Sequence, residues 1–145
     1  MLDGLDGDGR LLRDSSSPVK VAGYDLRFSA PKSVSVLFGL GEPEIREAVR
    51  RAHDKAVAAA MGHVERTAVA VRRGHGGLIV EPAGGLVVGL FRHRTSRVGD
   101  PQLHTHAVVA NLGKGPDGRW STLEWPADLR AGADGELRLP GRAAL

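Results

Sequence analysis

Three histidines form the clearest chemical pattern in this 145-residue chain: His93, His104 and His106, spaced eleven and then two residues apart. On a β-strand, residues i and i+2 face the same way about 6.7 Å apart, so His104 and His106 share a face if Leu103 to Leu112 is extended. A helix would put them on opposite sides. His93 ends the preceding apolar run, and a hairpin centred on Gly99-Asp100 brings its ring opposite that pair. Three neutral nitrogen donors with open positions make a metal site that still admits water or substrate. Each histidine taken singly reads more readily as a packed or surface side chain, and only the joint spacing points to metal. His75, flanked by glycines, and His63, near a helix end, carry no such pattern. Cupin-type barrels also place His-x-His on a strand, but they add a nearby Glu, and Ala107 to Gly113 holds none.

The composition bounds what else could do chemistry. There is no Cys, which excludes disulfides, thiolate ligands and a Cys nucleophile and leaves His and carboxylates. The length allows one compact domain. With 20 Gly, about twice the usual share of roughly 7%, the fold must be rich in turns, which argues against a long-helix bundle. Apolar content of 41% and charged content of 26% suit a globular chain. The net charge is +3, carried by 16 Arg against 4 Lys. That balance leans toward phosphate recognition, although a GC-rich genome produces the same bias. Apolar runs such as Leu86 to Phe91 fall far short of the roughly 18 to 20 residues of a membrane span. Met1 to Asp14 is acidic and Gly-rich, unlike a secretory signal, so a cytoplasmic protein with no membrane partner is expected.

The elements that must position the histidines follow from periodicity. Residues 1–18 read as a linker or upstream remnant. Val21 to Ser29 alternates as a strand, with Tyr24, Leu26 and Phe28 on one face and Asp25 and Arg27 on the other. Ser29 and Pro31 signal a helix start, with Ser29 as the cap and a short helix through Ser33 to Leu40. Glu44 to Thr67 predicts a longer helix with Ile45, Val49, Ala52, Ala56, Ala60 and Val64 as its apolar stripe. Beyond it, residues 68–72, 77–81, 86–93 and 103–112 are β-rich runs separated by Gly and Pro turns, and Trp120 to Trp125 adds one more. The predicted class is α+β, an antiparallel sheet with helices packed on it.

With these elements placed, the sequence resembles the relaxase domain of the TrwC/MobF family of conjugative plasmid proteins, within the HUH nucleases. The resemblance rests on Gly23-Tyr-Asp-Leu-Arg-Phe-Ser-Ala-Pro-Lys-Ser-Val-Ser-Val36, on Ala52-His-Asp-Lys-Ala-Val57, on Phe91-Arg-His-Arg-Thr-Ser-Arg97, and on Asp100-Pro-Gln-Leu-His-Thr-His106. It covers about residues 19–125, with Leu2 to Leu12 as a weak continuation. It implies an incomplete HUH palm whose relatives nick one strand at a transfer origin by transesterification onto a tyrosine. His93, His104 and His106 would hold a divalent cation against the scissile phosphate. Asp54 would accept a hydrogen bond from one ligand imidazole. Three imidazoles favour Zn, Ni or Cu, so Mg or Mn in function would depend on phosphate oxygens and water. Lys32, Arg92, Arg94 and Arg97 bracket the motifs and are candidate phosphate contacts to single-stranded DNA, although a solvated strand end explains them too. For base stacking the candidates are Trp120, Trp125 and Phe38.

Two departures from the family pattern bear on activity. The nucleophilic tyrosines of these relaxases lie in a segment expected before Met1, and the single Tyr here, Tyr24, sits in a structural strand position. Pro126 to Leu145 reads as a divergent loose tail. A relaxase truncated at both ends is therefore expected, with its covalent step impaired, or a nonenzymatic metal- and DNA-binding remnant. Other relaxosome proteins, or the missing relaxase and helicase portions, would be its protein partners.

Overall fold

A computed structural model describes residues 21–125; the expectations for residues 1–18 and 126–145 lie outside them. The chain runs β1 (Gly23–Ser29), α1 (Lys32–Leu40), α2 (Pro43–Thr67), β2 (Ala70–Arg73), β3 (Ile79–Pro82), β4 (Leu86–Thr95), β5 (Pro101–Lys114), β6 (Trp120–Ser121) and β7 (Leu123–Glu124). The class is α+β, as predicted, but the strands divide into two antiparallel sheets. The larger has the order β1-β5-β4, with β6 on the end of β5, and the smaller has the order β3-β2-β7.

Strand β5 is the centre of the larger sheet, and its two flanks set the register. Arg27 lies opposite His106 and Ser29 opposite His104 on the β1 side. On the β4 side, Phe91 lies opposite His106 and His93 opposite His104. The expected β4–β5 hairpin forms, but it turns over Ser96 to Asp100, a little before the expected centre at Gly99-Asp100: the Ser96 amide donates to Asp100 O at 2.9 Å, and Gly99 supplies the positive φ of 87°.

One face of this sheet is closed by the helices. Leu103 and Val109 are fully buried there, and Leu26 and Ala107 pack beside them. Burying each large aliphatic side chain contributes about 1.5–3 kcal/mol. The α1 register is set by Ser35, whose hydroxyl donates to Pro31 O and accepts from the Leu103 amide. Ser29 is no cap, because it remains in β1, and Pro31 takes the N-cap position without a side-chain bond. The inner stripe of α2 also differs from expectation. It runs through His53, Val57 and Val64, whereas Ile45, Ala52 and Ala56 are exposed. The small alanines lie outside because His53 reaches the sheet, its Nε2 sharing a hydrogen bond with Thr105 Oγ1 at 2.9 Å.

The two sheets join at β5. Asn111 donates to Val21 O and accepts from the Leu123 amide, tying three segments with one buried amide. Gly113 is required beside it: a Cβ there would lie 2.5 Å from Leu123 and 2.8 Å from Val71.

Candidate metal centre

Strand pleating turns alternate residues to opposite faces, so the open face of the larger sheet is specified by register alone. Across β1, β5 and β4 its rows read Ser29, His104, His93; then Arg27, His106, Phe91; then Asp25, Val108, Gly89. The three imidazole centroids are each 5.1 Å from the other two. One nitrogen from each ring lies within 4.8 Å of the others. His104 is buried, His106 half-buried and His93 exposed, so the cluster is held from below and open on one side.

Hydrogen bonds orient two of the rings. His104 Nδ1–H donates to Gln102 O at 2.9 Å, and His106 Nδ1–H donates to Asp25 Oδ2 at 2.7 Å. A carbonyl and a carboxylate can only accept, so both rings carry the proton on Nδ1 and present the Nε2 lone pair. Burial pushes His104 below its ordinary pKa, partly offset by the Gln102 carbonyl, while Arg27 lowers it further. Neutral imidazole is the form that binds metal. This donor set fits a divalent cation, with three nitrogens on one side and room for oxygen ligands on the other.

The predicted site residues separate by face. The carboxylate beside the triad is Asp25, and Asp54 is corrected out of that role. Asp54 stands on α2, across the sheet, where its carboxylate takes Arg92 at 2.7 Å and Arg50 at 2.8 Å. Arg92 and Arg94 flank His93 in sequence but alternate with it, so they turn toward the helices and line a groove with Phe38, Arg46 and Arg50. They do not border the histidines. Lys32 stays near the hairpin end, donating to Pro101 O at 3.2 Å with Asp100 at 3.5 Å. Arg97 is exposed in the hairpin turn. The cation that shares the open face is Arg27. Tyr24 turns to the closed face, its ring edge-on to Trp125 at 5.3 Å. Trp125 and Phe38 are buried and unavailable for stacking on a base.

Asp25 and Arg27 are legible in the sequence as a polar strand face, but nothing local ties that face to histidines about 80 residues away. His53 stands beside Asp54 in the Ala52-His-Asp motif, and no local signal shows that the imidazole, rather than the carboxylate, reaches the sheet.

A three-histidine cluster on the open face of an antiparallel sheet, backed by helices, fits the HUH-type palm that the resemblance implies. The TrwC relaxase family model matches residues 1–131, and the chain belongs to that family. The match extends past the 19–125 that the motifs suggested. The multifunctional conjugation protein TraI of Escherichia coli K12 is 46% identical over 101 residues, which is 70% of this chain and 6% of TraI. The metal-bound structure of the conjugative relaxase TrwC in complex with oriT DNA is 44% identical with a TM-score of 0.64, over 81% of this chain and 41% of that one. TrwC complexed with a 27-mer comprising the recognition hairpin and the cleavage site is 43% identical, with the same TM-score, over 81% of this chain and 42% of that one. The chain thus spans a small fraction of TraI and about two fifths of the TrwC structures.

Proposed function

We propose that this chain supplies the metal-binding half of a conjugative relaxase centre, in which His93, His104 and His106 hold a divalent ion against a phosphodiester of single-stranded transfer-origin DNA. The observation that carries the reading is the convergence of three imidazoles with Asp25 orienting one of them. When bound, the ion supplies Lewis-acid polarisation and an orienting clamp on a phosphate oxygen. Asp25 keeps the proton of His106 on Nδ1, and Arg27 in the adjacent row adds positive charge where a phosphate would approach. Lys32 and Arg97 lie at the hairpin end, where they would meet the strand beyond. Mg or Mn suits a site completed by phosphate oxygens, and Zn or Ni suits three imidazoles. The setting is the cytoplasm; among the described residues no helix is long and apolar enough to cross a membrane.

Nicking by transesterification needs a hydroxyl nucleophile on the open face, and Tyr24 is on the other. Tyr24 is therefore not assigned the covalent step. A second reading, metal-dependent DNA binding without chemistry, is favoured by that same orientation of Tyr24.

Labelled single-stranded origin oligonucleotides, with Mn²⁺ or with chelator, test both. The expected result is metal-dependent binding that disappears in His104→Ala and His106→Ala. Cleavage and a covalent adduct are expected only when a Tyr-bearing relaxase segment is added. Cleavage by the chain alone that is lost in Tyr24→Phe would overturn the assignment of Tyr24. Metal-independent binding that is indifferent to the histidines would overturn the centre itself.

A further inference from the structure

We propose that Phe91 is a base-stacking platform built into the metal face, on which a nucleotide next to the metal-held phosphate lays its base. This rests on the DNA-binding reading above and adds a residue that neither the histidine pattern nor the arginine count indicates.

Phe91 is the cross-strand partner of His106, so its side chain rises from the same face as the triad, one strand away. Adjacent strands lie about 4.8 Å apart, a separation that one nucleotide spans between its phosphate and its base. On the other flank of His106, in the same row, stands Arg27. The row thus offers a cation, a metal ligand and an aromatic ring in sequence, matching the charge and the π-surface of one nucleotide.

Phe91 is 55% exposed, whereas Phe38 and Trp125 are 9% and 4% exposed. Phe28 and Tyr24 pack against the core from the closed face, and Phe91 is not among the residues packed there. More than half of Phe91 thus stays open to water on the face that carries the histidines and Arg27.

The ring is also seated. It leans back along its own strand over Gly89, where a Cβ would come within 3.0 Å of Cε2 and 3.3 Å of Cζ. Glycine at 89 therefore lets the ring rest on backbone. A Cβ there would make the ring give by a few tenths of an ångström, and a branched side chain such as Val would shift it further.

The test measures binding of a labelled single-stranded oligonucleotide by anisotropy, in parallel with Mn²⁺ affinity by calorimetry, on the full chain. Phe91→Leu keeps an apolar side chain and removes the π-face, and it should weaken DNA binding on the order of ten-fold. Phe91→Trp should restore binding or tighten it. Gly89→Val, which displaces the ring without altering it, should reproduce the loss. Mn²⁺ affinity should stay the same in all three. With an oligonucleotide carrying abasic sites, the difference between wild type and Phe91→Leu should vanish. Equal DNA binding by Phe91→Leu, or a difference that persists on abasic DNA, would overturn the platform while leaving the DNA-binding reading intact. Parallel loss of Mn²⁺ affinity would make Phe91 a structural support for the triad and overturn the platform as well. Absence of any metal-dependent DNA binding in the wild type would remove both readings together.

Discussion

The two faces of the larger sheet are made by alternate residues of the same three strands, yet they follow different rules. The helix-covered face is apolar and closed at its centre: Leu103, Val109, Ala107 and Leu26 are buried, Thr105 is paired with His53 and Ser35 with the Leu103 amide, while Arg92 at its edge pairs with Asp54. The open face carries Arg27, Asp25, three histidines and an exposed phenylalanine. One face stabilises the chain, and the other keeps donors and charges available. Period-two alternation lets one short sequence do both, since every residue changes task from its neighbour.

The largest stability effect comes from the closed face. Leu103→Ala should cost about 2–5 kcal/mol, from lost transfer energy and the cavity left under α1. His93→Ala, one row away on the exposed face, should change the stability of the metal-free protein by about 0.5 kcal/mol or less. Denaturant unfolding of the two variants checks the contrast, and equal losses would erase it.

The next effect is on metal affinity and separates the two aspartates. Asp25→Asn removes the carboxylate that orients His106 and should weaken Mn²⁺ binding about 10–100-fold. Asp54→Asn acts on the opposite face and should leave that affinity unchanged, with calorimetric titration reading both. If the two variants behave alike, the faces are coupled more tightly than the register indicates.

That pair also shows what is readable from the sequence. The triad is legible because both of its links are local, an i,i+2 spacing and a tight hairpin at Gly99. Asp25 is not, because its hydrogen bond with His106 depends on β1 pairing with β5 across 81 residues of sequence. Linear proximity misleads for Arg92 and Arg94, which flank His93 in the chain and face away from it in space. The α2 stripe departs from expectation for a related reason. Apolar periodicity favours the alanines, whereas the polar His53 is the residue that bonds into the sheet.

A smaller effect follows from pH. Burial lowers the pKa of His53, opposed in part by Asp54, and it lowers His104 as well. The unfolded chain therefore binds more protons than the folded one just below the ordinary imidazole value of about 6.5. Stability of the metal-free protein should fall as pH drops through that value. His53→Gln, which keeps a hydrogen-bonding group toward Thr105, should flatten the slope of Tm against pH between about 6.5 and 5. An unchanged slope would show that His53 is not the closed-face group that titrates.

The smallest expected effect is the most direct check on the arginines. Arg92 is half-exposed and pairs with Asp54 on the helix side, so Arg92→Gln should cost about 0.2–1 kcal/mol of stability, toward the low end because solvent screens the pair. Arg27→Gln removes no ion pair found among the described residues, so its stability should hold while its affinity for single-stranded DNA falls. Removing one cation that meets a phosphate should also reduce the salt dependence of binding by roughly one unit or less in log K against log salt. Titrations at several salt concentrations distinguish the two variants. A reduced slope in Arg92→Gln with none in Arg27→Gln would mean that DNA follows the helix face, and the assignment of the open face to DNA would have to be reversed.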